Sequence, residues 1–177
     1  MKEWANKKAM ATRILSIDPS GTGTTGICLI TNQTIEFKEF KDICWKNHYE
    51  FISSLVKLYK PDLLLFENTN FISNRSKDSL NLIRLLGAIE CLKVKKAESI
   101  NVTKVKELSK ALFKESQAFA GKTKIENLQY LPGRGKGWMF KVKEQSTDSF
   151  GKTIRISIHQ LEAFLVWYCW NKFLIGF

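Results

Sequence analysis

An apolar run stops abruptly at Asp18-Pro19, the chain turns through three glycines between positions 21 and 26, and a second apolar run begins. Ile14, Leu15 and Ile17 favour a strand. Pro19 cannot donate to a sheet ladder, so the strand ends there and leaves Asp18 at its mouth. Gly21, Gly23 and Gly26 allow a tight return into Ile27-Cys28-Leu29-Ile30. A carboxylate at the end of a buried strand, beside an open glycine turn, suits metal or phosphate chemistry. The same residues also suit an ordinary hairpin in which Asp18 is a turn residue.

The next segments build outward from that hairpin. Residues 34–40 alternate apolar and charged, as a half-buried strand does, and complete an antiparallel meander. Phe51, Ile52, Leu55, Val56 and Tyr59 fall at helical spacing over residues 48–59, and Pro61 stops that helix. Asp62-Leu63-Leu64-Leu65-Phe66-Glu67 is a continuous apolar run, expected of a strand covered on both faces. Arriving after a helix, it can lie parallel to the first strand through a right-handed connection. Asp18 and Glu67 then share the carboxyl edge, where open α/β sheets bind ligands.

Residues 77–96 carry two apolar stripes, more than one sheet face can cover, so the excess points to a neighbouring helix or a second subunit. Residues 99–102 read as a short strand, and Thr103 as the N-cap of a helix over 104–113. Residues 116–137 are polar and glycine-rich; 138–143 and 153–158 alternate with period two and predict a basic β-hairpin. A last helix begins near Ser157 or His159, with Leu161, Phe164, Leu165 and Tyr168 on its buried side. Residues 1–12 read as a loose leader, and 13–177 as a single domain with no internal repeat.

The formal charge of +11 suits a polyanionic partner, most often nucleic acid, although a solubilising lysine surface gives the same total. Lys104, Lys106, Lys110, Arg134, Lys136, Lys141 and Lys143 are the candidate phosphate contacts. The four cysteines are scattered without a CxxC pair, which favours reduced thiols in a cytoplasmic protein over a zinc finger or disulfide framework. The apolar tail is interrupted at Asn171-Lys172 and falls short of the ~20 apolar residues of a spanning helix, so no membrane partner is expected.

His159 and Glu162 stand at i and i+3, on one face of the last helix. Singly, each suits a cap or a structural role. With Asp18 and Glu67 they form a set of hard ligands suited to Mg²⁺ or Mn²⁺. Two such ions ~4 Å apart activate a water and stabilise the leaving oxygen of a phosphodiester. In that reading Asp18 bridges, Glu67 holds one ion, and Glu162 with His159 holds the other. Alternatively, His159 positions the attacking water.

The ordered set Ile17-Asp18-Pro19-Ser20 with Thr25-Gly26, Leu65-Phe66-Glu67, Leu86-Gly87, Val102-Thr103-Lys104-Val105-Lys106 and His159-Gln160-Leu161-Glu162-Ala163 resembles the RuvC family of Holliday-junction resolvases, within the RNase H-like nucleases. It spans about residues 13–170. The resemblance implies an RNase H-like mixed five-stranded sheet, three antiparallel strands then two parallel, flanked by helices; the hairpin near 138–158, read from its alternation, is an addition to that plan. It implies a crossover junction endodeoxyribonuclease that binds four-way DNA and nicks two strands symmetrically with Mg²⁺. It also implies a homodimer through helix 77–96, with Phe71 as the aromatic approaching the junction. Ser20 stands where the family has glycine, Glu162 where it has aspartate, and the segment between Lys106 and His159 is longer.

Three other readings compete. A less selective RNase H-like nuclease would cut forks or flaps, and a binding module would hold junctions without cutting. An actin- or sugar-kinase-like nucleotide binder needs a second, similar domain, for which the chain is too short. Gly-Lys-Thr at Gly121 and Gly151 lacks the glycine five positions earlier that a P-loop requires, so no nucleotide cofactor is expected.

Overall fold

A computed structural model describes residues 13–32, 34–69, 77–132, 136–143 and 150–175. The leader at 1–12, Phe71 and Arg134 lie outside the described residues. The five predicted strands form one sheet: β1 (Ile14–Asp18), β2 (Thr24–Ile30), β3 (Ile35–Lys41), β4 (Leu63–Asn68) and β5 (Ala97–Asn101), in the order β3-β2-β1-β4-β5. The first three pair antiparallel, and β4 and β5 join parallel to β1. The mixed sheet expected from the sequence is therefore the one observed.

Period-two alternation divides the core between the two sheet faces. Leu15, Ile17, Ile27, Leu29, Leu64 and Phe66 meet α1 (Trp45–Tyr59) and α2 (Lys77–Glu90) through Ile52, Leu55, Leu85 and Ile89. Ile14, Cys28, Ile30, Leu63 and Leu65 meet α3 (Val102–Ala118) and α4 (Ile158–Ile175) through Val105, Leu112, Leu161, Phe164 and Leu165. β1 is buried along its whole length because both faces are covered. α4 is apolar around its circumference, and Trp167, Tyr168 and Trp170 also pack against this cluster.

The element boundaries differ from the periodicity for local reasons. α1 starts at Trp45 because Asp42 ties the entry turn, accepting from the Cys44 amide at 2.7 Å and the Asn47 amide group at 3.0 Å. α2 ends at Glu90 rather than 96; the turn beyond it keeps Leu92 and Val94 against the core, which prolongs the helical pattern in the sequence. α3 starts at Val102, and its N-cap is Asn101, whose side chain accepts from the Thr103 amide at 2.8 Å. The capping residue is thus Asn101, not Thr103.

The added hairpin is a three-stranded sheet. β6 (Leu128–Leu131) joins β7 (Gly137–Lys143) and β8 (Phe150–Ile156) in sequence order. Its inner face seats Leu128, Trp138, Phe140 and Ile156 on the α4 side of the core. Phe140 packs edge-on against Phe164 of α4 and Phe37 of β3, both at 5.0 Å between ring centroids. All four cysteines are free thiols; Cys28 and Cys169 are buried, Cys44 is half-buried and Cys91 is exposed. Among the described residues, no helix is long and apolar enough to cross a membrane.

Candidate metal centre at the carboxyl edge

β1 and β4 run parallel with Ile17 opposite Phe66, so the next residues along each strand, Asp18 and Glu67, lie side by side. Alternation puts Asp18 on the face of Ile14 and Ser16, and Glu67 on the face of Leu63 and Leu65. That is the face α4 crosses. In β2, Gly26 pairs with Asp18, and a Cβ at position 26 would fall 2.0 Å from the His159 carbonyl oxygen. The absent side chain lets the first turn of α4 settle onto the sheet beside Asp18. The buried Ser16 hydroxyl then donates to the Ala163 carbonyl at 2.7 Å, fixing the helix one turn further on.

Three of the predicted residues therefore meet, with Glu67 on the neighbouring strand. His159 Nδ1 lies 3.0 Å from Asp18 Oδ2. One ligand atom each of Asp18, His159 and Glu162 falls within 4.8 Å of the others, and this is the metal-ligand group found among the described residues. Glu67 stands outside that circle but inside its field. Burial, together with the charges of Asp18 and Glu162, pushes its carboxyl up to about 8. Glu67 Oε2 is buried and has no hydrogen-bond partner. A buried carboxylate oxygen without a donor is costly, and a cation is one of the few groups that would satisfy it there.

The expected phosphate contact Lys106 is placed within this cluster. Its Nζ donates to Glu162 Oε2 at 2.6 Å. Burial works against its charge, but the bond to Glu162 and the charges of Glu67, Glu162 and Asp18 outweigh that and raise its pKa. His159 also titrates above its ordinary value: the bond to Asp18 outweighs desolvation. The site thus holds three carboxyls, one imidazole and one ammonium. Their hard oxygen donors and the orphaned Glu67 oxygen fit a divalent metal.

The neighbouring turn is braced rather than reactive. His48 Nε2 donates to the Asp42 carbonyl at 2.9 Å, and its Nδ1 is hydrogen-bonded to the Thr25 hydroxyl at 2.8 Å. Thr25 Oγ1 in turn accepts from the Ser20 amide at 3.0 Å. Gly21 lies so near α2 that a Cβ would come 2.4 Å from the Leu82 nitrogen, and Thr22 donates to Asp78 at 3.0 Å. A cavity of about 210 Å³ opens beside Glu67, lined by Pro19, Leu82, Leu86 and Val102 among others.

Other candidates are dispersed. Lys104 and Lys110 are exposed on α3, Lys136 is exposed before β7, Lys141 is half-buried on β7, and Lys143 ends that strand. Leu80 and Ile83 on α2 are 45% and 37% exposed, and Gly87 faces open space one turn on. Sequence reasoning missed the spacing roles of Gly26 and Ser16. A glycine inside a strand pattern is itself a sign of close backbone approach.

The sheet order, the parallel crossover and the position of α4 define an RNase H-like fold. No protein-family profile matches the sequence, and no curated protein does. Among solved structures, the chain shares the fold of Thermus thermophilus RuvC in complex with its Holliday junction substrate, with a TM-score of 0.50 and 14% identity over 88% of this chain and 90% of that one. The yeast mitochondrial Holliday junction resolvase matches with a TM-score of 0.41 and 14% identity, covering 62% of this chain and 60% of that one. The fowlpox virus resolvase, solved with Holliday junction DNA, scores 0.36 at 20% identity, covering 60% and 77%.

Proposed function

We propose that this chain is a structure-selective endodeoxyribonuclease that resolves Holliday junctions by paired symmetric nicks, acting as a homodimer with Mg²⁺ or Mn²⁺. What supports this reading is the grouping of Asp18, His159 and Glu162, with Glu67 on the strand beside Asp18, at one sheet edge of a RuvC-like fold. Bound divalent metal, two ions per site, supplies an activated water and stabilises the leaving oxygen.

The chain's own groups divide the remaining work. Asp18, between Glu67 and His159, would hold the metal together with Glu67 and Glu162. His159 is oriented by Asp18 through Nδ1, and its second ring nitrogen makes no hydrogen bond among the described residues. That nitrogen either completes the ligand set or takes the proton of the attacking water. Lys106 limits the negative charge that would otherwise repel a phosphodiester. Lys104, Lys110, Lys136, Lys141 and Lys143, with Arg134, bind phosphates along the DNA arms, and Phe71 approaches the junction centre. The exposed Leu80, Ile83 and Gly87 stripe supports self-association through α2.

The test compares the protein with its Asp18→Asn variant on a synthetic four-way junction, a fork, a flap and an RNA–DNA hybrid, each with Mg²⁺. Symmetric nicks in the junction, absent in the variant, are expected. Equal cutting of forks and flaps would make the enzyme a broader branched-DNA nuclease. Junction binding by both proteins with cutting by neither would make it a binding module.

A further inference from the structure

The opposite edge of the sheet carries a second concentration of charge. Arg13 precedes β1, Lys57 and Lys60 end α1, and Lys93 and Lys95 lie between α2 and β5. With Val56, Pro61 and Val94 they line a cleft of about 740 Å³. It sits at the amino ends of β1 and β4, whereas Asp18 and Glu67 sit at their carboxyl ends. The length of β4 puts the two edges ~17–20 Å apart.

Among the described residues, one carboxylate, Asp62, pairs with two of these five cations. Asp62 accepts from the Arg13 amide at 3.0 Å and from Lys95 Nζ at 2.5 Å, and Arg13 Nε lies 3.9 Å away. Lys57, Lys60 and Lys93 have no ion-pair partner among the described residues. The dipole of α1 favours cations at its C-terminus, which accounts for Lys57 and Lys60. It does not account for Arg13, Lys93 and Lys95, which arrive from other segments. Lys60 also holds a left-handed backbone, φ 45° and ψ 61°, where glycine would be unstrained. Gathering like charges around a partly apolar concavity raises its field and its attraction for a polyanion. The lining has no aromatic ring on which a base could stack and no glycine-rich loop.

We propose that this cleft is a second nucleic-acid site, which grips the phosphodiester backbone of a duplex other than the one at the acidic edge. It reads charge and not bases. The inference rests on the reading of the acidic edge as a DNA-binding site, but not on whether that edge cuts junctions.

The experiment uses the full chain carrying Asp18→Asn, so that bound DNA stays intact, with and without the changes Lys57→Gln, Lys60→Gly and Lys93→Gln. Binding of a labelled linear duplex is followed by anisotropy across a salt series. Capture of that duplex by protein already loaded on an immobilised junction is measured in parallel. The triple variant is expected to bind linear duplex at least tenfold more weakly, with a salt slope lower by about 0.9 for each phosphate it no longer neutralises. Capture is expected to disappear. Urea midpoints establish that it folds, and Lys60→Gly relieves the left-handed strain. Unchanged affinity, slope and capture would overturn the proposal and leave a solvated surface. Competition by ATP or inorganic phosphate, stronger than by duplex at equal phosphate concentration, would overturn it in favour of a small-anion site. Failure to prefer a junction over duplex would count against the resolvase reading without touching this one.

Discussion

His159 and Asp18 are 141 residues apart in the chain, yet Nδ1 of one lies 3.0 Å from Oδ2 of the other. The pair joins the start of the last helix to the end of the first strand, and it predicts a titration. The Asp18 hydrogen bond holds the folded imidazole above its ordinary 6.5. Its stabilising contribution is complete below that value and is lost as pH rises through the folded pKa. With two histidines in the chain, NMR titration in EDTA resolves them. The His159 midpoint should lie above 6.5 and move back toward it in Asp18→Asn. A midpoint unmoved by that substitution would break the assignment.

Glu67 gives the opposite of the usual carboxylate behaviour. Its folded pKa of about 8 exceeds the ordinary 4.5, so the metal-free fold binds more protons than the unfolded chain between those values. Its contribution is full below the lower value and declines as pH rises toward 8. Glu67→Gln should therefore be the more stable protein at pH 8 in EDTA, by roughly 1–3 kcal/mol in urea titrations, and nearly equal to the parent at pH 5. Mg²⁺ should recover the parent's stability at pH 8 and leave the variant unchanged. Junction nicking should be abolished.

Removing the Lys106 ammonium leaves the carboxyl cluster without its internal cation. Lys106→Met should cost roughly 1 kcal/mol in EDTA, allowing for solvent screening of a side chain 44% exposed. Mg²⁺ should stabilise this variant more than the parent, as differential scanning fluorimetry would show. Equal metal-free melting temperatures would mean that Lys106 carries no such role.

Charge placed on the exposed stripe of α2 should separate subunits. Leu80→Arg with Ile83→Glu is expected to convert a dimer to a monomer in sedimentation velocity, with unchanged circular dichroism. Nicks in the two junction strands should then lose their coordination. A parent that sediments as a monomer at working concentration would contradict dimerisation through this helix.

Much of this arrangement was legible in the sequence because strands and strand ends announce themselves locally. The stop at Asp18-Pro19 and the run from Leu63 to Glu67 located both strand-borne carboxylates. The i, i+3 spacing of His159 and Glu162 put them on one helix face. What escaped was decided between segments. Lys106 stood in the sequence as one of several candidate phosphate contacts, and only the approach of α3 to α4 sets its Nζ against Glu162. β6 lay in a stretch read as polar and glycine-rich, since Gln129 and Tyr130 take strand form by pairing with Met139 and Trp138. Leu92 and Val94 kept helical spacing after the helix had ended, because core packing rewards position and not local conformation.

Gly26 bears no chemistry, yet the distance between the strand-borne and helix-borne acidic groups is set by the space it leaves open. Counting acidic side chains is consequently a poor audit of competence in any chain built on this plan. A single methyl group at position 26 would leave every acidic side chain in the sequence unchanged while prising the two halves of the cluster apart.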